Sequence, residues 1–208
     1  MAAPTFLRLR REAWGFIIGS VLFIVGAVPG FLDAVGPVAD NLTFFIGSLF
    51  FTLAAFIQLN LSGRRPPRST TNRPDRFDWW AAAIQFAGTL FFNLSTVTAL
   101  AASLGGTERT GWRPDAYGSV CFLLSSLLAV VATTGRDALW DPKARTWRGA
   151  WLNLLGSVAF GIAAVGAYPI AESGQQFLAS WATVGTITGG ACFLVAAALT
   201  RPGTPRLS

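Results

Sequence analysis

The sequence predicts an all-α integral membrane protein, with six transmembrane helices arranged as three tandem two-helix repeats of about 70 residues. Three observations predict it. Only 12% of the 208 residues are charged while 52% are hydrophobic, and a soluble domain carries roughly 25% charged residues. The charges are segregated, leaving six uncharged windows near the ~20 residues that a helix needs to cross a bilayer. A small pair followed by Phe recurs once in each window. Strict alternation is absent and the runs are too long for barrel strands, so the windows read as helices.

The windows are Ala13–Leu32, Asn41–Leu61, Trp79–Leu104, Ala116–Thr134, Ala150–Ala171 and Phe177–Thr200. The net charge of +6 follows from topology rather than nucleic-acid binding. Every Lys and Arg except Arg109 and Arg113 falls at the N-terminus, in the second or fourth loop, or in the tail. Positive charge marks the cytoplasmic face, which predicts a multi-pass plasma (inner) membrane protein with both termini inside. The apolar run after the basic N-terminus is longer than a signal peptide's core and reads as a retained first helix. One Lys against fifteen Arg fits a GC-rich bacterial genome.

The first helix begins after Arg10-Arg11-Glu12, with Trp14 at the interface and Gly15, Gly19, Gly26 and Gly30 along one face. Pro29-Gly30 and Gly36-Pro37 punctuate the outer loop, and Asp40 before Asn41 suits a helix N-cap. A cation site made by Asp33 and Asp40 is the alternative. After the second helix, residues 63–76 form a basic cytoplasmic loop with Pro66-Pro67, expected to be extended. The third helix starts at Asp78-Trp79-Trp80 and is the most polar. Gln85, Thr89, Asn93 and Thr96 share one face, where amides turn inward for interhelical bonds of roughly 0.6 kcal/mol each or line a watery cavity.

The second outer loop carries Glu108, Arg109, Trp112, Arg113 and Asp115 with locally balanced charge. The inner loop 135–149, with Trp140, Trp147 and four basic residues, has the look of a segment lying on the membrane surface. The fifth helix begins at Trp151 and Asn153 and ends at Tyr168-Pro169. Residues 201–208 form an unstructured tail.

The recurring motif is Gly19-Ser20…Phe23, Gly47-Ser48…Phe51, Gly88-Thr89…Phe92, Gly118-Ser119…Phe122, Gly156-Ser157…Phe160 and Gly189-Gly190…Phe193. Alternate copies lie about 70 residues apart, which makes the repeat a helix pair with units 10–62, 77–134 and 147–200 within a single membrane domain, 1–208. Two helices per unit keep all units in one orientation, so the pseudo-symmetry axis runs along the membrane normal. The physical reading is packing: the small pair leaves a hollow and a neighbour's Phe fills it. Cys121 and Cys192 sit beside the Phe as small apolar residues.

The fragments Phe44-Phe45-Ile46-Gly47-Ser48-Leu49-Phe50-Phe51 and Trp14-Gly15-Phe16-Ile17-Ile18-Gly19-Ser20-Val21-Leu22-Phe23 resemble the helix pairs of the YrhK-like membrane proteins, best over residues 10–60. That resemblance implies architecture and no mechanism. The layout of three two-helix units is also similar to that of the mitochondrial carriers, whose Pro-x-Asp/Glu-x-x-Lys/Arg signature is missing here.

There is no His, no CxxC and no Gly-rich phosphate loop, and no ionisable residue sits in the middle of a window. No cofactor, no metal and no enzymatic activity are therefore expected. The predicted function is a non-catalytic polytopic membrane protein, an accessory or scaffold subunit or lipid-contacting module. The alternative is a channel or uniporter for a small neutral solute, lined by Gln85, Thr89, Asn93 and Asn153. Expected partners are membrane lipid and a membrane-protein partner or second copy, and not nucleic acid.

Overall fold

The computed structural model describes residues 3–63, 65–68, 70–106, 112–134 and 144–201. The second outer-loop pair Glu108–Arg109, most of the fourth loop with Trp140, and the tail beyond 201 lie outside the described residues. Six helices follow in order: α1 (Ala3–Ala27), α2 (Phe31–Ser62), α3 (Arg73–Ser103), α4 (Trp112–Thr134), α5 (Arg145–Gly166) and α6 (Ala179–Thr200). Among the described residues there is no strand, only one isolated bridge between Pro169 and Gln176.

Five of the helices, α2 to α6, are long and apolar enough to cross a bilayer. The first differs from expectation. Its basic segment is already helical from Ala3, and it stops at Ala27 rather than continuing to Leu32. Gly30 adopts the left-handed conformation at φ 86° and ends the turn that separates α1 from α2. The distribution of side chains is inverted relative to a soluble protein. Val21, Leu53, Leu94, Leu124, Val158 and Val184 are all 41–62% exposed, whereas the largest fully buried side chains are Thr89, Ser20, Ser48, Ser125 and Ser157. A surface that apolar, around a core of phenylalanines and small and hydroxylated residues, is a surface for lipid. The chain is thus built as a multi-pass membrane protein.

The helices form a ring. Each packs on its neighbours in the chain, α6 returns to α1, and no other helix pair meets at backbone level among the described residues. The most extensive contacts are within α1–α2, α3–α4 and α5–α6. The glycines explain that closeness. A Cβ on Gly19 would stand 3.2 Å from the Phe51 ring, and one on Gly47 would stand 2.9 Å from the Phe23 ring. The same reciprocal contact joins Gly88 with Phe122 (2.8 Å) and Gly118 with Phe92 (3.0 Å). It recurs between Gly156 and Phe193 (2.7 Å) and between Gly189 and Phe160 (2.6 Å). In every pair, then, each helix lays its Phe in the notch of the other.

Several boundaries differ from the sequence reading, each for a local reason. Asp40 is not a helix cap. Gly36, at φ 80° and ψ 164°, kinks α2, and Pro37 restarts the helix with its fixed φ, leaving Asp40 inside the first turn and buried. The basic loop is shorter than 63–76, because Asn72 caps α3 by accepting from the Asp75 N–H at 2.9 Å, with Pro74 in the first turn. Trp79 Nε1 donates to Gly63 O at 3.0 Å and pins the two ends of that loop. Trp147 is not on a surface-lying segment; it is buried in the first turn of α5 and packs on Trp151. Helix α5 stops at Gly166, where a Cβ would come within 2.6 Å of the Ala182 backbone. Residues 168–177 then turn back on themselves, with the Phe177 N–H donating to Tyr168 O at 2.8 Å.

Gly189→Ala drives a methyl into the Phe160 ring and toward the Gly156 carbonyl, and should destabilise the protein by about 1–3 kcal/mol. Gly161→Ala meets nothing within 4 Å and should be neutral or slightly stabilising. Thermal unfolding of both variants in one detergent checks the contrast, and equal melting shifts would contradict it.

Candidate functional site

At the centre of the ring the six motif phenylalanines meet. Phe23, Phe51, Phe92, Phe122, Phe160 and Phe193 form one buried cluster. Their arrangement is two stacked triangles. Phe23, Phe92 and Phe160, from α1, α3 and α5, lie with centroids 6.0–6.3 Å apart. Phe51, Phe122 and Phe193, from α2, α4 and α6, lie 5.7–6.5 Å apart. The layers join through the pairs Phe23–Phe51 (5.3 Å), Phe92–Phe122 (4.9 Å) and Phe160–Phe193 (5.3 Å). Tilted and edge-on rings at these distances attract one another through their quadrupoles.

A cavity opens on each side of this aromatic partition. The near cavity, on the side where α1 starts, has a volume of about 880 Å³. Phe193 forms part of its floor, and Glu12, Gln58, Gln85, Ser126 and Asn153 line its wall. The far cavity, about 540 Å³, has Phe23, Phe92 and Phe160 on its floor and Asp40, Thr96 and Asp115 on its wall. All three rings of one layer thus line the far cavity, and Phe193 of the other layer lines the near one.

In every copy but Thr89, the second residue of the small pair stands at a seam between helix pairs. Ser48 shares a hydrogen bond with Thr96 at 3.0 Å across α2–α3. Ser119 donates to Phe160 O at 3.4 Å across α4–α5. A Cβ on Gly190 would meet Ile24 of α1 at 2.8 Å and Ser20 O at 3.3 Å. Deeper on the α4–α5 seam, Ser126 and Ser157 share a bond at 2.7 Å.

The four polar residues singled out from the sequence are split by the structure. Gln85 and Asn153 line the near cavity, and Gln85 Oε1 accepts from Ser125 at 3.3 Å. Thr89 is fully buried and returns its hydroxyl to Phe86 O at 2.7 Å, away from either cavity. Asn93 lines neither cavity, and its Oδ1 is buried with no hydrogen-bond partner among the described residues. Helical spacing put Gln85, Thr89, Asn93 and Thr96 on one face of α3, but that face meets α2 through Thr96 and α4 and the near cavity through Gln85. Cys121 and Cys192 are free thiols, with their Cβ atoms beside the Gly88 and Gly156 notches.

Asp33 and Asp40, the alternative cation site of the sequence, both line the far cavity; Glu12 and Asp115 were missed as cavity residues because they stand at the ends of apolar runs, where charges are ordinarily solvated. Burial pushes the Glu12 carboxyl up to about 7, so near neutral pH it lies between its neutral and charged forms. No group of three or more His, Cys, Asp or Glu that could hold a metal ion occurs among the described residues.

In a Cys121→Ala, Cys192→Ala background, Gln85→Cys and Asn153→Cys should react with a water-soluble thiol reagent. Thr89→Cys should react at least about tenfold more slowly, since access governs thiol reactivity. Equal labelling of all three would contradict the cavity geometry. Comparison of the chain with protein-family models, with curated proteins and with solved structures finds no match in any of the three.

Proposed function

We propose that this protein is a six-span membrane protein of three tandem helix-pair repeats that passes a small polar solute between its two cavities through the phenylalanine partition. The observation that carries the reading is the placement of the cavities on opposite faces of the same aromatic cluster, at the axis of a closed ring of helices. A pathway needs no charge at its narrowest point if the barrier is a removable apolar constriction. Only two layers of rings separate the cavities, and small rotations of the helix pairs would shift them.

The repeat reading is supported by the threefold recurrence of the Gly–Phe contact and by the division of the rings into two triangles, one ring per pair in each. Six spans follow if α1, whose apolar part runs only from Ala13 to Ala27, crosses with its basic turn at the interface. The arginines on the near side then assign the near cavity to the cytoplasm. An accessory or scaffold role, the leading expectation from composition, uses only the outer surface and leaves the paired cavities without a purpose.

The test is solute entry into proteoliposomes, followed by light scattering for glycerol and by radiolabel for methylammonium. Protein-containing vesicles should admit at least one solute faster than protein-free vesicles. Phe92→Ala with Phe122→Ala, which empties a contacting pair from both layers, should raise its entry, whereas Gln85→Leu with Asn153→Leu should lower it several-fold. Flux equal to that of empty vesicles in every variant would overturn the reading in favour of the scaffold role.

A further inference from the structure

The far cavity differs from the near one in charge. Asp33, Asp40 and Asp115 all line it, and no Lys or Arg among the described residues does. Asp33 is exposed at the mouth. Asp40 is 9% exposed, and its Oδ1 is buried with no hydrogen-bond partner. Asp115, on α4, stands seven residues before Phe122, which is about 10 Å of helix rise above the partition. A carboxylate with a buried, unpartnered oxygen is disfavoured in its charged form unless a counter-charge stands beside it.

What supplies that charge is constrained by the remaining walls. The acidic residues are not gathered closely enough to form a metal-binding group, and about 540 Å³ is far larger than a bare ion requires. The floor is aromatic: Phe23, Phe92 and Phe160 all face this cavity. Carboxylates on the wall and aromatic rings on the floor together match an ammonium-type cation, held by charge on one side and by contact with the rings on the other. The volume lies within the range of small-molecule sites, ~300–1,000 Å³.

We propose that the far cavity is a binding site for a small organic cation of the amine or quaternary ammonium class, paired with Asp40 and Asp115 and seated on the Phe23–Phe92–Phe160 triangle. This names the solute class for the passage proposed above and rests on that reading only for transport, because binding is measured independently of flux. The hydroxyls of Thr96 and Thr186 and the Gln176 amide complete the polar wall.

The experiment is calorimetric titration of the full-length protein in detergent micelles with tetramethylammonium chloride and, separately, methylammonium chloride. tert-Butanol serves as the neutral counterpart and sodium and magnesium chloride as the inorganic ones. At least one organic cation should bind saturably, and tert-butanol should not. Asp40→Asn and Asp115→Asn should each weaken that binding by about tenfold or more, a loss of ~1.4 kcal/mol, while Glu12→Gln in the near cavity leaves it unchanged. If Asp40→Asn does not fold, Asp115→Asn carries the test alone. Organic-cation binding that is unaltered in Asp115→Asn, equal affinity for tert-butanol, or saturable binding of sodium or magnesium alone would overturn the proposal. Cation binding without flux of either methylammonium or glycerol would leave the site standing and refute the passage. Glycerol flux without cation binding would do the reverse.

Discussion

The structure depends on one contact, the seating of a phenylalanine ring in the notch made by a glycine on the facing helix. In a bilayer the hydrophobic effect does not drive helices together, because lipid tails are as apolar as Leu, so association relies on close van der Waals fit and hydrogen bonds. The Gly–Phe contact supplies that fit twice in each helix pair. The backbone reaches the partner there: the Cβ positions of Gly19, Gly118 and Gly189 lie 3.0–3.2 Å from the carbonyls of Gly47, Gly88 and Gly156. Removing the notch would push the helices apart and unseat a ring from the partition at once. Packing and the central barrier are therefore one feature.

The small pairs divide their labour. The first residue is always Gly and always opposes the Phe within its own pair. The second is Ser in four copies, Thr in one and Gly in one, and where it bonds outside its helix it bonds across a seam between pairs, as Ser48 does with Thr96. Hydroxyls suit the seams because they satisfy themselves on their own helix while remaining available to a neighbour; Ser48 also donates to Phe45 O at 2.8 Å. The α6–α1 seam, which closes the ring, uses Gly190 against Ser20 instead. The Ser20 hydroxyl is accordingly buried with no partner among the described residues.

The two cavities share a partition but not a chemistry. The near one mixes amides, hydroxyls, Arg65 and carboxylates, and opens on the side where α1 starts and α6 ends. The far one is smaller, acidic and floored with aromatic rings. The Gly–Phe level is uniform around the ring, whereas the charged residues belong to loops and first turns that differ from one helix pair to the next. Polarity is thus added at both mouths without placing an ionisable group at the depth of the rings.

The sequence by itself determined the helical class, the lipid-facing composition and the level at which the helices meet, because each is a property of residues near in sequence. Six charge-poor windows set the helices, and a small pair four residues ahead of a Phe marks a notch and the ring that fills another. Helix ends were legible where a charge-poor window ends, as at Thr134 and Thr200; the Asn72 cap of α3 and the Gly36 kink within α2 were not. Only the tertiary structure decided that the six rings converge on one axis, that they separate into two layers, and that a cavity lies on either side. It also decided that Asp40 and Asp115, a helix apart in sequence, line one space, while Thr89 and Asn93, a single turn from each other, line none. Those outcomes turn on the rotation of each helix about its own axis within the ring, which is set by all of its neighbours together.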